Sequence, residues 1–128
     1  MTQLALVTVV VREYDEAIRY FTDTLGFRLV EDSDLGAGKR WVVVALGEAT
    51  GTGLLLARAV TYDQHSRVGN QTGGRVFLFL HSTTFDADYA RLVEAGVDFV
   101  EEPRTEAYGR VVVFADLYGN RWDLVEAR

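Results

Sequence analysis

The chain has no cysteine, one proline (Pro103) and one lysine (Lys39). The missing cysteine excludes disulfides, thiolate nucleophiles and thiolate metal sites together. The segment 1–13 has neither the basic stretch nor the small-residue cleavage site of a secretory leader, so the expectation is a cytoplasmic protein. With one lysine and a formal charge of −6, no basic stripe is available to neutralise phosphates, and nucleic acid is not an expected partner. Long apolar runs are absent too. The stretch 4–11 is far shorter than the roughly 20 residues a membrane-spanning helix needs, so no membrane partner is expected. No helix carries a His-x-x-x-His pair, and no Ser-His-Asp or paired-carboxylate arrangement stands at a useful spacing. The glycine-bearing stretch 70–74 lacks the strand-to-helix setting of a phosphate loop and reads as a turn.

What is present is an ordinary globular composition, 48% hydrophobic and 25% charged over 128 residues. A chain of that size buries roughly two-thirds of its unfolded surface and needs no covalent staples. Within it the sequence repeats. Residues 4–11 are apolar and largely β-branched, which predicts a strand buried on both faces. Apolar residues at 17, 18, 21 and 25 then mark one face of a helix over 15–25, closed by Gly26. Strands are predicted at 27–30, 40–46 and 53–59, with a polar turn over 32–38. The second half follows the same order: a strand at 75–80, a helix at 86–95 closed by Gly96, and strands at 97–100, 111–114 and 121–125. Leu25-Gly26-Phe27 and Ala95-Gly96-Val97 align at an offset of 70, as do residues 41–44 and 111–114. The expectation is a single α+β domain over 1–128 made of two βαβββ modules, 4–59 and 75–126, joined by a polar linker, 60–74.

Two stretches carry a family resemblance. Val11-Arg12-Glu13-Tyr14-Asp15-Glu16-Ala17-Ile18-Arg19-Tyr20-Phe21, followed by Leu25-Gly26-Phe27, resembles the opening of vicinal-oxygen-chelate proteins, the superfamily of glyoxalases, bleomycin-resistance proteins and extradiol dioxygenases. Asp116-Leu117-Tyr118-Gly119-Asn120, between two apolar strands, resembles the family's Asp-Pro-x-Gly-Asn hairpin, with Leu117 in place of proline. The resemblance implies sheets curled into a half-barrel cavity and, in the metal enzymes, ligands on four strands. Carried over, those ligand positions fall on Leu6, Leu55, Arg75 or Val76, and Asp123. Two aliphatic side chains and a guanidinium without a lone pair cannot ligate, and one carboxylate is not a metal site.

The expected function is therefore metal-free binding of a small, aromatic or cationic molecule, in the manner the resemblance implies for bleomycin-resistance proteins, with no cofactor. The cavity candidates are Leu6, Trp41, Leu55, Arg75, Glu106, Tyr108 and Asp123. Trp41 and Trp122 both fall near mid-strand, where a core position is the plainer reading, and His65 and His81 read as surface residues. Arg75, if turned inward, would pair with Asp123 across the cavity, because a buried charge must be compensated. The alternative is an enzyme, a lyase or dioxygenase holding Mn, Fe, Zn or Ni through Glu106, Asp123 and a histidine. A homodimer is expected, since the resemblance implies edge-to-edge joining of modules and 4–11 would form an apolar edge strand.

Overall fold

The computed structural model describes residues 1–47 and 51–127. Contacts divide the chain into two compact units, Met1–Val68 and Gly69–Arg128. The fold is mixed α+β, each unit contributing one open sheet and no closed barrel.

In the first unit, β1 (Leu6–Val11), β2 (Arg28–Gly36), β3 (Lys39–Ala45) and β4 (Gly53–Arg58) form a sheet in the order β1-β4-β3-β2. β1 runs parallel to β4, and the other pairs are antiparallel. Alternation sorts the side chains between two faces. Val9 and Val11 of β1, Val42 and Val44 of β3 and Leu56 of β4 are fully buried, and α1 (Tyr14–Arg19) lies against β3 and β4 with Ala17 buried beneath it. Burying such side chains stabilises by about 1.5–3 kcal/mol each, so this face is the core. The helix runs on into a wider π-turn, Tyr20–Thr24, in which the Leu25 amide donates to the Tyr20 carbonyl (3.1 Å) and the Phe27 amide to that of Phe21 (2.8 Å). This turn keeps Phe21 and Leu25 inward at 1% and 2% exposure, with the Phe21 and Phe27 rings edge to face. Gly26, at φ 81°, reverses the chain between them in a conformation that costs other residues steric strain.

The second unit repeats the order. β5 (Val76–Ser82), α3 (Phe85–Glu94), β6 (Asp98–Phe99), β8 (Gly109–Ala115) and β9 (Arg121–Glu126) build a sheet ordered β5-β9-β8-β6, with β5 parallel to β9. β3 and β8 are displaced by the offset of 70 seen in the sequence, and Gly96 (φ 85°) matches Gly26. Trp122, Leu124, Val112 and Phe114 fill the face toward α3, whose Phe85 and Leu92 are buried. Trp122 is core, stacked on Phe114 at 5.7 Å. The hairpin turn is organised by buried Asp116. Its carboxylate accepts from the Tyr118 and Asn120 amides (both 3.0 Å), the Asn120 side chain (3.1 Å) and the Trp122 indole (3.0 Å).

Three expectations need correction. Residues 32–36 continue β2 rather than forming a turn; on this edge strand Asp32 accepts from Arg40 and Asp34 from the Gly36 amide, and the chain reverses only at Gly36-Ala37-Gly38. The linker is not wholly irregular. Tyr62–Arg67 forms a helix, α2, with no buried residue, started by a capping box in which Thr61 accepts from the Gln64 amide and Gln64 accepts from Thr61. A short strand, β7 (Arg104–Glu106), pairs with β8 between the strands predicted at 97–100 and 111–114, where no element was predicted. Among the described residues no helix is long and apolar enough to cross a membrane.

Candidate functional site

On the sheet face of the first unit opposite α1, backbone pairing sets Thr8 beside Leu55 and Leu55 beside Val43, with Trp41 two residues from Val43 on the same face. Trp41 and Leu55 belong to the lining of a hollow of about 660 Å³, together with Thr8, Val10 and Ala57. Its rim is polar, with Lys39, Arg58, Thr61 and Gln64. Trp41 is 36% exposed, so its indole is available surface rather than core, correcting the plainer reading. The two tryptophans part company because Trp122 follows the helix-side phase of β9 while Trp41 takes the opposite phase of β3. Leu6 is half-buried two pairs further along, beside Gly53, where an added Cβ would come within 3.3 Å of the leucine. It does not line the hollow.

The second unit places Asp123 on the sheet face away from α3, paired with Phe79 on β5 and Val113 on β8. Asp123 is 8% exposed, and its Oδ1 is buried without a hydrogen-bond partner. Burial pushes its carboxyl pKa up; Arg104 opposes that rise and Glu101 adds to it. The expected partner was Arg75, but Arg75 is exposed and precedes β5, where its carbonyl accepts from the Thr72 hydroxyl, and no Arg75–Asp123 ion pair exists among the described residues. The cation near Asp123 is Arg104, which the sequence reading missed. Its guanidinium is engaged elsewhere, donating to Glu101 (3.1 and 3.2 Å) and to Glu106 (2.5 Å), and Tyr108 bonds to it as well. Glu101 is itself held by the Val113 amide at 3.1 Å. The signal for this cluster is the alternation Arg104-Thr105-Glu106 ahead of Tyr108-Gly109, which puts both charges on one side of a strand.

These residues do not fit a divalent metal. Leu6 and Leu55 present methyl groups, Val76 and Arg75 have no lone pair to offer, and the described residues contain no group of three His, Asp or Glu side chains able to hold an ion. Glu106 is bonded to Arg104, while His65 is exposed on α2 and His81 is exposed on β5, paired with Val125.

Comparison with known proteins agrees with the topology. A protein of uncharacterised function from Shewanella frigidimarina (strain NCIMB 400) is 49% identical over 121 residues, covering 94% of this chain and 90% of the relative. The crystal structure of UcmS2 superposes with a TM-score of 0.85 at 30% identity, covering 98% of each chain. That of TnmS3, an antibiotic binding protein from Streptomyces sp. CB03234, gives a TM-score of 0.78 at 29% identity, covering 100% of this chain and 98% of TnmS3. The family model for the glyoxalase/bleomycin resistance protein/dioxygenase superfamily matches residues 3–124, and the chain belongs to that superfamily.

Proposed function

We propose that the protein binds a small, ring-bearing organic molecule without a metal and protects or carries it rather than transforming it. The observation that carries this reading is the first sheet's open face: where the family's enzymes would place a donor atom, Leu55 offers methyl groups, and Trp41 stands close by with its indole exposed. An aliphatic floor beside an exposed indole suits a flat ring, since aromatic stacking adds about 0.5–1.5 kcal/mol to the burial of apolar area. TnmS3, described as an antibiotic binding protein, supports the same class of ligand. β1 at the sheet edge further suggests a homodimer, which sedimentation equilibrium tests: a species of 14.3 kDa at micromolar concentration removes it.

The experiment is a titration with bleomycin and with a neutral anthraquinone, read by calorimetry and by tryptophan fluorescence. Binding of either, weakened at least about tenfold by Trp41→Ala, is the expected result. Metal analysis of the purified, unchelated protein supplies the opposite arm. Stoichiometric Mn, Fe, Zn or Ni that stabilises the fold, with no binding of either ring compound, would replace this reading with the enzyme.

A further inference from the structure

The second sheet holds a carboxylate that its own fold leaves uncompensated. Asp123 stands in the middle strand of β5-β9-β8, on the face away from α3, 8% exposed and with Oδ1 lacking any hydrogen bond. Its strand neighbours, Phe79 and Val113, give it no donor. The nearby Arg104 is committed to Glu101 and Glu106, so three carboxylates here face one guanidinium. Phe79, directly paired with Asp123, is 59% exposed, an apolar ring open to contact beside the charge.

We propose that this face recognises the protonated amine of a ring-bearing ligand, with the Asp123 carboxylate receiving the ammonium and Phe79 packing against the adjoining apolar part. The inference rests on the small-molecule-binding reading and adds the chemical class: an amine joined to an apolar body. An ammonium fits better than a metal ion, which requires several converging donors where this face has one free carboxylate. It also fits better than a neutral hydroxyl, because the local charge excess attracts a cation and a charge-assisted hydrogen bond is roughly twice as strong as a neutral one. Oδ1 is closed to solvent, so the ammonium meets the other carboxylate oxygen, and there it compensates a charge that both oxygens share.

Three matched probes test this by calorimetry: 2-naphthylmethylammonium, its N,N,N-trimethyl analogue, and neutral 2-ethylnaphthalene. The expected result is that the primary ammonium binds wild type at least tenfold more tightly than the neutral probe, with the trimethyl compound between them. Asp123→Asn should erase that preference while leaving the neutral probe's affinity within twofold, which also shows that the variant is folded. Equal binding of ammonium and neutral probes to wild type overturns the amine site and leaves the ring-binding reading standing. Binding of none of the three while bleomycin or the anthraquinone binds overturns the amine site alone, and binding of none of the five overturns both. Retention of the preference in Asp123→Asn assigns the ammonium to other groups and overturns the role of Asp123, as does a wild-type melting temperature raised by Mn, Zn or Ni but unchanged by the metal in the variant.

Discussion

Replacing Asp123 by asparagine should stabilise the ligand-free protein. Asp123 is 8% exposed with an unpartnered Oδ1, and a buried acceptor left unsatisfied costs about 1–3 kcal/mol, more when it is charged. Asparagine keeps the shape and removes the charge, although its amide still lacks partners, so the expected gain is about 1 kcal/mol at pH 7.5. For a chain of this length that corresponds to a rise of about 4 °C in melting temperature. The pH dependence has a definite sign. Burial raises the folded-state pKa of Asp123 above its ordinary 3.8, with Arg104 opposing and Glu101 reinforcing the shift, so the folded state holds this proton more tightly than the unfolded state. Folding stability from this group therefore falls as pH rises from the unfolded value through the folded one, and the penalty is complete above the latter. The gap between variant and wild type should be widest at neutral pH and narrow steadily toward pH 4. Urea unfolding of both proteins at pH 7.5, 6.0 and 4.5 measures it. A loss at pH 7.5 of about 3 kcal/mol would mean a carboxylate paired with a cation, the arrangement first expected with Arg75, and would refute the reasoning.

Other substitutions probe the frame around the site. Gly69→Ala should cost at least about 2 kcal/mol, since φ is +74° and the new Cβ would sit 1.9 Å from the Tyr118 carbonyl oxygen; thermal unfolding reads it. Asp116→Ala should cost about 3 kcal/mol, because it strands the Trp122 indole and the Asn120 amide in the core, and the near-ultraviolet circular dichroism of Trp122 should weaken with it. Thr61→Ala should loosen α2 by about 1 kcal/mol through loss of its cap, visible as faster amide exchange at Gln64 and His65 while the sheet is unaffected. Trp41→Ala should cost about 1–3 kcal/mol, since the residue is only 36% exposed and the rest of the indole packs on the sheet, and it should weaken ring binding as described above.

The repeat was legible because its markers are local and physically forced. Gly26 and Gly96 terminate helices at positive φ, and the apolar runs of β3 and β8 fall at the same offset, so both units could be traced from residue order alone. What escaped the sequence reading lacks an apolar phase. β2 passes through Glu31-Asp32-Ser33-Asp34, which resembles a turn, yet an edge strand tolerates such residues because one side of it meets water. α2 buries nothing and shows no amphipathic period; its only signature is the Thr61-x-x-Gln64 box. Leu6, Leu55 and Asp123 could be assigned to the open faces by analogy with ligand positions. The cation near Asp123 could not, because its place depends on how 101–106 lies against β8, and that is fixed by the Val113 amide reaching the Glu101 side chain. Arg104 came into view only with that geometry.

Two buried aspartates in the β8–β9 hairpin show how a residue serving the fold differs from one serving a ligand. Asp116, 7% exposed, collects donors from Tyr118, Asn120 and Trp122. Hydrogen bonds to a charged group contribute about 1.5–3 kcal/mol each, so ionised Asp116 stabilises the turn, which also holds without the proline that Leu117 replaces. Asp123, as deeply buried, receives none of this, and its strand neighbours Phe79 and Val113 would accommodate an aliphatic side chain. Leucine or valine there would extend the apolar surface and remove an uncompensated charge, and stability alone would favour either. The first unit has that arrangement already, with Leu55 flanked by Thr8 and Val43 and the charged Lys39 and Arg58 only at the rim of the hollow. The two units thus share a topology and differ in what their open faces present, an aliphatic and indole surface in the first and a carboxylate beside an exposed phenyl ring in the second. A carboxylate that stability alone would discard, standing beside an exposed phenyl ring in the second unit, is the observation on which the amine proposal rests.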